Sequence, residues 1–291
     1  MEAFAYVAPK SLAEAYTVLA NGKSSQFLAG GTDVIVQLRE GRRQCDQVID
    51  LKHIPELMGM GWLADGTLEI GAARPLAEIY EDSEVARRLP GLVDAASLIG
   101  GIQVQSRASL GGNLCNASPA ADSAPALMVL DARLVIGSAS GTREIPVAQF
   151  FTGPGRNSLA PGEILLAVKV PPPGPHAASF YLRFIPRNEM DIAVASAGAF
   201  LRLEPTGARI EFARIALGAV GPTPLTSAGA AAALVGQAPT REVFGKAGAA
   251  ASETSTPITD MRGSAVQRRH LVSVLTVRAL EGALQRAREA R

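Results

Sequence analysis

Apolar residues recur at helical spacing from Leu12 to Leu19, just after a Ser11–Glu14 pair with the spacing of a capping box, which predicts a short helix following residue 10. Residues 26–29, apolar from Phe27 onward, predict a strand, followed by the Gly30–Gly31 pair and a helix from about Thr32 to Glu40. Gly41 stands where a left-handed C-cap belongs, and 47–51 (QVIDL) predicts a second strand. Further along, LEIGA (68–72) alternates like a strand and Glu84–Ile99 has helical periodicity. The stretches 132–138 and 142–147 flank a glycine-containing turn and predict a hairpin. The stiff run PPPGP at 171–175 cannot join a sheet interior and marks a linker. After it come predicted strands at 179–184, 192–203 and 209–218, an alanine-rich helix at 226–235 and a long final helix over roughly 264–289. Three units result: 1–55, 56–170 and a C-terminal α+β domain over 171–291.

Composition narrows the classes. At 291 residues, 47% of them apolar and 19% charged, the chain can bury a substantial core. A net charge of +1 without a Lys/Arg run argues against a nucleic-acid or membrane surface. Cys45 and Cys115 stand far apart, so neither a disulfide framework nor a cysteine metal site is expected. The N-terminal residues lack a signal-peptide pattern and no window is long enough for a membrane span, so a cytoplasmic protein is expected.

Two glycine pairs carry the chemistry. In FLAGGTDVIV (27–36) a strand runs through Gly30–Gly31 into a helix start, where unpaired backbone amides suit a phosphate and glycine allows close approach. The same pattern also makes an ordinary tight turn. No GxGxxG opens a βαβ unit, so this is not a Rossmann fingerprint. In SRASLGGNLCNASPAAD, Gly111 and Gly112 are flanked by Ser109, Asn113, Asn116, Ser118 and Asp122, small polar groups able to hold phosphate oxygens or sugar hydroxyls. An irregular polar loop is the plainer alternative. Two such segments in one chain favour a dinucleotide.

The pair AGGTD and ASLGGNLCNASPAADSAPALM, with FFTGPGRNSLAPGEILL (150–166) and FYLRFIPRNEMDIAVASAGAFL (180–201), resembles the FAD-binding medium subunit of the molybdenum hydroxylases, the xanthine dehydrogenase and carbon monoxide dehydrogenase family. The resemblance implies an α+β fold: a two-subdomain FAD-binding domain of the vanillyl-alcohol-oxidase (PCMH) type, then a C-terminal domain of the CO dehydrogenase flavoprotein kind. It implies that Leu28, Ala29, Gly30, Gly31, Thr32, Asp33 and Val34 wrap the FAD diphosphate. Ser109, Gly111, Gly112 and Asn113 form a second clamp, with Asn116 beside it and Asp122 on sugar hydroxyls. Leu165 matches an apolar position against the isoalloxazine. Arg183 falls where relatives often carry lysine, near the flavin pyrimidine edge, where a cation would raise the flavin potential.

None of the three histidines (His53, His176, His270) lies in these segments, so the resemblance implies non-covalent FAD. Cys115 is read as a small buried thiol. No residue is assigned a catalytic acid, base or nucleophile role. The implied partners are a large molybdenum-cofactor subunit and a small [2Fe–2S] subunit in a dimer of heterotrimers, with NAD⁺ or another acceptor receiving the electrons. Two other readings stand beside this one. A self-sufficient flavin oxidoreductase on the same fold needs its own acid/base constellation near the glycine segments. A nucleotide-binding protein that had lost its flavin would have damaged ones.

Overall fold

In the computed structural model, which describes residues 2–187 and 190–290, three larger sheets succeed one another along the chain, with a two-stranded pair beside the second. Asn188 and Glu189, within the fourth segment of the resemblance, lie outside the described residues. The first unit runs β1 (Ala5–Val7), α1 (Leu12–Leu19), β2 (Ser25–Leu28), α2 (Val34–Arg39) and β3 (Gln47–Asp50), its strands parallel in the order β1-β3-β2. Ser11 Oγ accepts the Glu14 amide at 3.2 Å, while the Glu14 carboxylate takes the Lys10 amide at 2.8 Å, so the capping box is shifted by one residue. α2 begins at Val34, two residues beyond its expected start, because Gly31 sits at φ +79° and keeps the chain in a turn. Gly41, at φ +71°, ends it with the Arg42 amide donating to the Gln37 carbonyl at 2.9 Å.

The second unit adds α3 (Pro55–Met58), β4 (Met60–Trp62), β5 (Leu68–Gly71) and the helices α4 (Leu76–Tyr80), α5 (Ser83–Arg88), α6 (Pro90–Ala96), α7 (Ile102–Gln105), α8 (Leu110–Asn116) and α9 (Ser123–Val129). Then come β6 (Arg133–Ser138), β7 (Gly141–Pro146), the short pair β8 (Phe151–Gly153) and β9 (Arg156–Asn157), and β10 (Ile164–Val170). The central sheet is antiparallel, in the order β4-β5-β10-β6-β7. The single helix expected over Glu84–Ile99 is two. Leu89 leaves helical geometry at φ −131°, ψ 52°, because the Pro90 ring disfavours a helical residue before it, and Pro90 then starts α6.

The third unit carries β11 (Ala177–Phe184), β12 (Ala195–Leu203), β13 (Ile210–Gly218) and β14 (Leu225–Thr226) in consecutive antiparallel order, followed by α10 (Ala228–Ala232), α11 (Arg241–Thr254) and α12 (Ala265–Glu289). The alanine-rich stretch yields only five helical residues, and α11 occupies a region for which the sequence predicts no element. Its buried stripe is Phe244, Ala247, Gly248 and Ala251, small enough to bring it hard against α12. A Cβ at Gly248 would stand 2.8 Å from the Ser273 carbonyl oxygen.

Alternation along β11 sends its two faces to different cores. Phe180 and Leu182 pack with the α11–α12 cluster, whereas Tyr181 joins Ala95 of α6 and Ala126 of α9. Helices from the second unit and helices from the third thus cover opposite faces of one sheet, and β12 is buried almost throughout. Arg286 of α12 seals the edge with a bidentate pair to Asp94 at 2.6 and 2.9 Å. Among the described residues no helix is long and apolar enough to cross a membrane.

Candidate functional site

The two glycine segments, nearly eighty residues apart in sequence, meet in space. A Cβ on Gly30 would lie 1.9 Å from the Arg107 carbonyl oxygen and 2.8 Å from the Ala108 nitrogen, so glycine here admits the chain's own backbone. Gly111 is equally constrained, its absent Cβ falling 2.4 Å from the Ala72 carbonyl oxygen, to which its own amide donates at 3.0 Å. Ala72 in turn donates to the Leu166 carbonyl at 2.9 Å, so a relay of backbone bonds ties α8 to β10. Across the gap, Gln37 of α2 donates to the Asn116 side-chain oxygen at 3.0 Å.

Gly112 differs from these two. It is exposed, and a Cβ there would touch only Ser109 Oγ, at 3.2 Å. Among the described residues, the amides of Gly30, Gly31, Thr32 and Asp33 donate to no other group of the chain. Four consecutive unpartnered amides beside an open glycine face fit a diphosphate, which accepts several hydrogen bonds at once and needs the backbone close. Since α2 and α8 have six and seven residues, the loop amides matter more here than a helix dipole. Asp33 is exposed, and its carboxyl is pushed upward by the surrounding chain, with Arg42 and Arg43 opposing.

The other residues singled out in the sequence have partners within the chain. Leu28 ends β2 and Ala29 offers its carbonyl to Lys52 at 2.9 Å; Val34 opens α2. Ser109 is the N-cap of α8, its hydroxyl accepting from the Gly112 amide at 3.1 Å, and the segment is helical through Asn116, which removes the irregular-loop alternative for that stretch. The Asn113 side-chain oxygen accepts from Ser123 at 2.6 Å. Asp122 is nearly buried, its two oxygens taken by the Tyr181 hydroxyl and by Arg183 Nη1, both at 2.5 Å. Burial and the adjacent Asp122 hold the Tyr181 hydroxyl well above its ordinary range, so it stays protonated as a donor. Arg183 Nε is buried and has no partner among the described residues. From the third unit, the Ala219 amide fixes the Pro119 carbonyl at 2.7 Å and so holds the turn leading to Asp122. Cys115 is half-buried as a residue, but burial pushes its thiol up to about 12, which leaves it inert as a nucleophile.

Leu165, 3% exposed, lies beside a bulge in β10 where the register with β6 shifts. The segment before it is braced by Arg143, which donates to Glu163 twice at 2.7 Å and to the Ser158 carbonyl at 3.0 Å. The Arg143 hydrogen bonds hold the Glu163 carboxyl at about 2. A depressed folded-state value means that the stabilisation is complete above the unfolded carboxyl range, near 4.3, and is lost as pH falls to about 2. Arg143→Leu should therefore melt below the parent near pH 7 and with it near pH 2; equal melting temperatures at neutral pH would remove the brace.

Sequence reasoning passed over Gln37, Asp50, Lys52 and Tyr181. For Asp50 a signal was present, a carboxylate directly after Val48 and Ile49 in the expected strand QVIDL; the structure ends β3 at Asp50 and buries all of its residues. Among the described residues no group of three or more His, Cys, Asp or Glu could hold a metal ion.

Comparison with known proteins adds an independent line. Residues 2–173 match the family model of the FAD binding domain in molybdopterin dehydrogenase, and 180–283 that of the CO dehydrogenase flavoprotein C-terminal domain. The chain is 39% identical over 216 residues to the xanthine dehydrogenase FAD-binding subunit of Escherichia coli O157:H7, covering 74% of this chain and 73% of that one. It is 31% identical over 284 residues to the carbon monoxide dehydrogenase medium chain of Hydrogenophaga pseudoflava, covering 97% and 98%. A solved carbon monoxide dehydrogenase from Hydrogenophaga pseudoflava superposes with a TM-score of 0.93 at 31% identity over 98% of each chain. Quinoline 2-oxidoreductase from Pseudomonas putida 86 gives 0.92 at 30%, again over 98% of each.

Proposed function

This chain belongs to the FAD-binding medium subunits of the molybdenum hydroxylase family, and on that premise we propose that it is the electron outlet of a multi-subunit oxidoreductase. A small partner subunit would deliver electrons from [2Fe–2S] clusters, and a large one would carry the molybdenum cofactor. NAD⁺ or another acceptor would receive the electrons, in an assembly that is a dimer of heterotrimers. Bound FAD supplies the chemistry that joins one-electron delivery to two-electron release.

The observation that carries this reading is the amide-lined junction of the two glycine segments. Leu28 to Val34 would wrap the diphosphate, with the Gly30, Gly31, Thr32 and Asp33 amides donating to its oxygens. Ser109, Gly111, Gly112 and Asn113 would form the facing clamp with Asn116 beside it, Gly112 contributing open space and the asparagines their amide nitrogens. Asp122 would keep lone pairs for a sugar hydroxyl while holding Arg183 in place. The unpartnered Nε of Arg183 is a buried donor suited to a flavin carbonyl, and its charge would favour the reduced cofactor. Leu165 would supply an apolar wall, and no residue of the chain is needed as an acid, base or nucleophile.

The test is the visible spectrum of the purified chain before and after acid precipitation. Flavin released to the supernatant is expected, together with co-purification of a larger and a smaller subunit carrying molybdenum and iron. Flavin retained in the pellet would mean covalent attachment and overturn the non-covalent reading. No flavin, and none taken up on adding FAD, would overturn the cradle.

A further inference from the structure

Beneath the first glycine segment, outside the clamp itself, lies a polar network centred on the buried Asp50 carboxylate. Asp50 ends β3 with its side chain 5% exposed, and its two oxygens are occupied from opposite sides. Oδ1 accepts from Lys52 Nζ at 2.6 Å and from the Lys52 amide at 3.1 Å, while Oδ2 accepts from the Tyr6 hydroxyl at 2.6 Å. Held in this way, the Lys52 ammonium also donates to the Ala29 carbonyl at 2.9 Å. We infer that Lys52 is a positioning residue for cofactor binding, setting the direction of the Gly30 amide through the carbonyl on the same peptide plane. The inference rests on the cradle reading above.

The Ala29–Gly30 bond is trans, so its C=O and N–H point to opposite sides of one plane. Anchoring the oxygen to Lys52 turns the Gly30 N–H away from the ammonium and outward among the unpartnered amides. On its other flank Gly30 abuts the Arg107 carbonyl, which restrains its Cα. Without the ammonium, a glycine peptide rotates freely enough to present its carbonyl lone pairs where an anion needs a donor. Lys52 needs Asp50 to stay in place, and Asp50 in turn is fixed by Tyr6. The network thus carries orientation from β1 and β3 to the loop.

A simpler role for Lys52 is to neutralise the buried Asp50 carboxylate, and the experiment separates the two. In the full-length chain freed of flavin, FAD is titrated by fluorescence quenching, and ¹⁵N-glycine labelling follows the Gly30 and Gly31 amides. Lys52→Met should weaken FAD binding by about 10- to 100-fold, the loss of one hydrogen bond from the Gly30 amide to a charged acceptor. Lys52→Arg should restore most of it. Asp50→Asn/Lys52→Met, which has no buried charge to leave unpaired, should melt near the parent yet still bind FAD weakly. Parental affinity in the double variant would assign Lys52 to charge balance alone and overturn the inference, as would parental affinity in Lys52→Met. Parental Gly30 and Gly31 resonances that do not move on adding FAD would instead overturn the cradle reading itself.

Discussion

Gly112→Val should purify as a folded, colourless chain. On the protein side its Cβ would meet only Ser109 Oγ, at 3.2 Å, a tight contact that a shift of the hydroxyl by a few tenths of an ångström relieves. The branched methyls must therefore occupy the open space beside the unpartnered amides. Forcing extra carbons into a filled site costs about 1–3 kcal/mol, a loss of about 10- to 100-fold in FAD affinity. Gly111→Ala makes the contrast. Its Cβ would fall 2.4 Å from the Ala72 carbonyl oxygen, so the fold itself should suffer and the melting temperature drop with or without flavin. The pair is read by thermal melts and flavin absorbance on the same preparations. A Gly112→Val chain with full flavin content would remove the second segment from the cradle.

Arg183→Met should produce the largest loss of stability. The side chains of Arg183 and Asp122 are 6% and 7% exposed, and the guanidinium is the only cation bonded to that carboxylate among the described residues. Removing it strands a buried charge, which typically costs about 3–5 kcal/mol. The Tyr181 hydroxyl still donates to Asp122, but one neutral donor does not replace a cation in a low-dielectric site. Asp122→Asn/Arg183→Met should recover most of the loss, since two neutral partners of similar size can coexist there. Urea titrations of parent, single and double variants give the three values. A double variant as unstable as the single one would show that packing, and not the unpaired charge, accounts for the damage. Any change in flavin potential is interpretable only in the double variant, where the fold is preserved.

Features with local causes could be read from the sequence. The Ser11 cap, the Gly41 stop, the β6–β7 hairpin and the final helix each depend on neighbours a few residues away. The break at Leu89 was equally local and signalled by Pro90, but the helical periodicity on both sides concealed it. α11 was concealed for another reason. Its buried face is alanine and glycine with one phenylalanine, so it lacks the hydrophobic contrast by which a helix is recognised. In the site, both glycine pairs stood out, but their division of labour did not. Whether a glycine faces a ligand or a neighbouring carbonyl depends on backbone distant in sequence, Arg107 for Gly30 and Ala72 for Gly111. Asp122 likewise meets Tyr181 and Arg183 only because β11 returns across α9 some sixty residues later.

The doubly covered sheet limits how genes of this kind can be cut and rejoined. PPPGP at 171–175 looks like an ideal breakpoint, yet an N-terminal fragment ending there would leave α6 and α9 without the strands they pack on. The C-terminal fragment would expose one full face of a sheet whose central strand β12 is buried for nearly its whole length, an apolar patch open to face-to-face association. Chimeras that exchange one half between relatives should therefore succeed only when the Asp94–Arg286 and Asp122–Arg183 partners travel as matched pairs, and heredity in this family is expected to treat the two halves as one unit of descent.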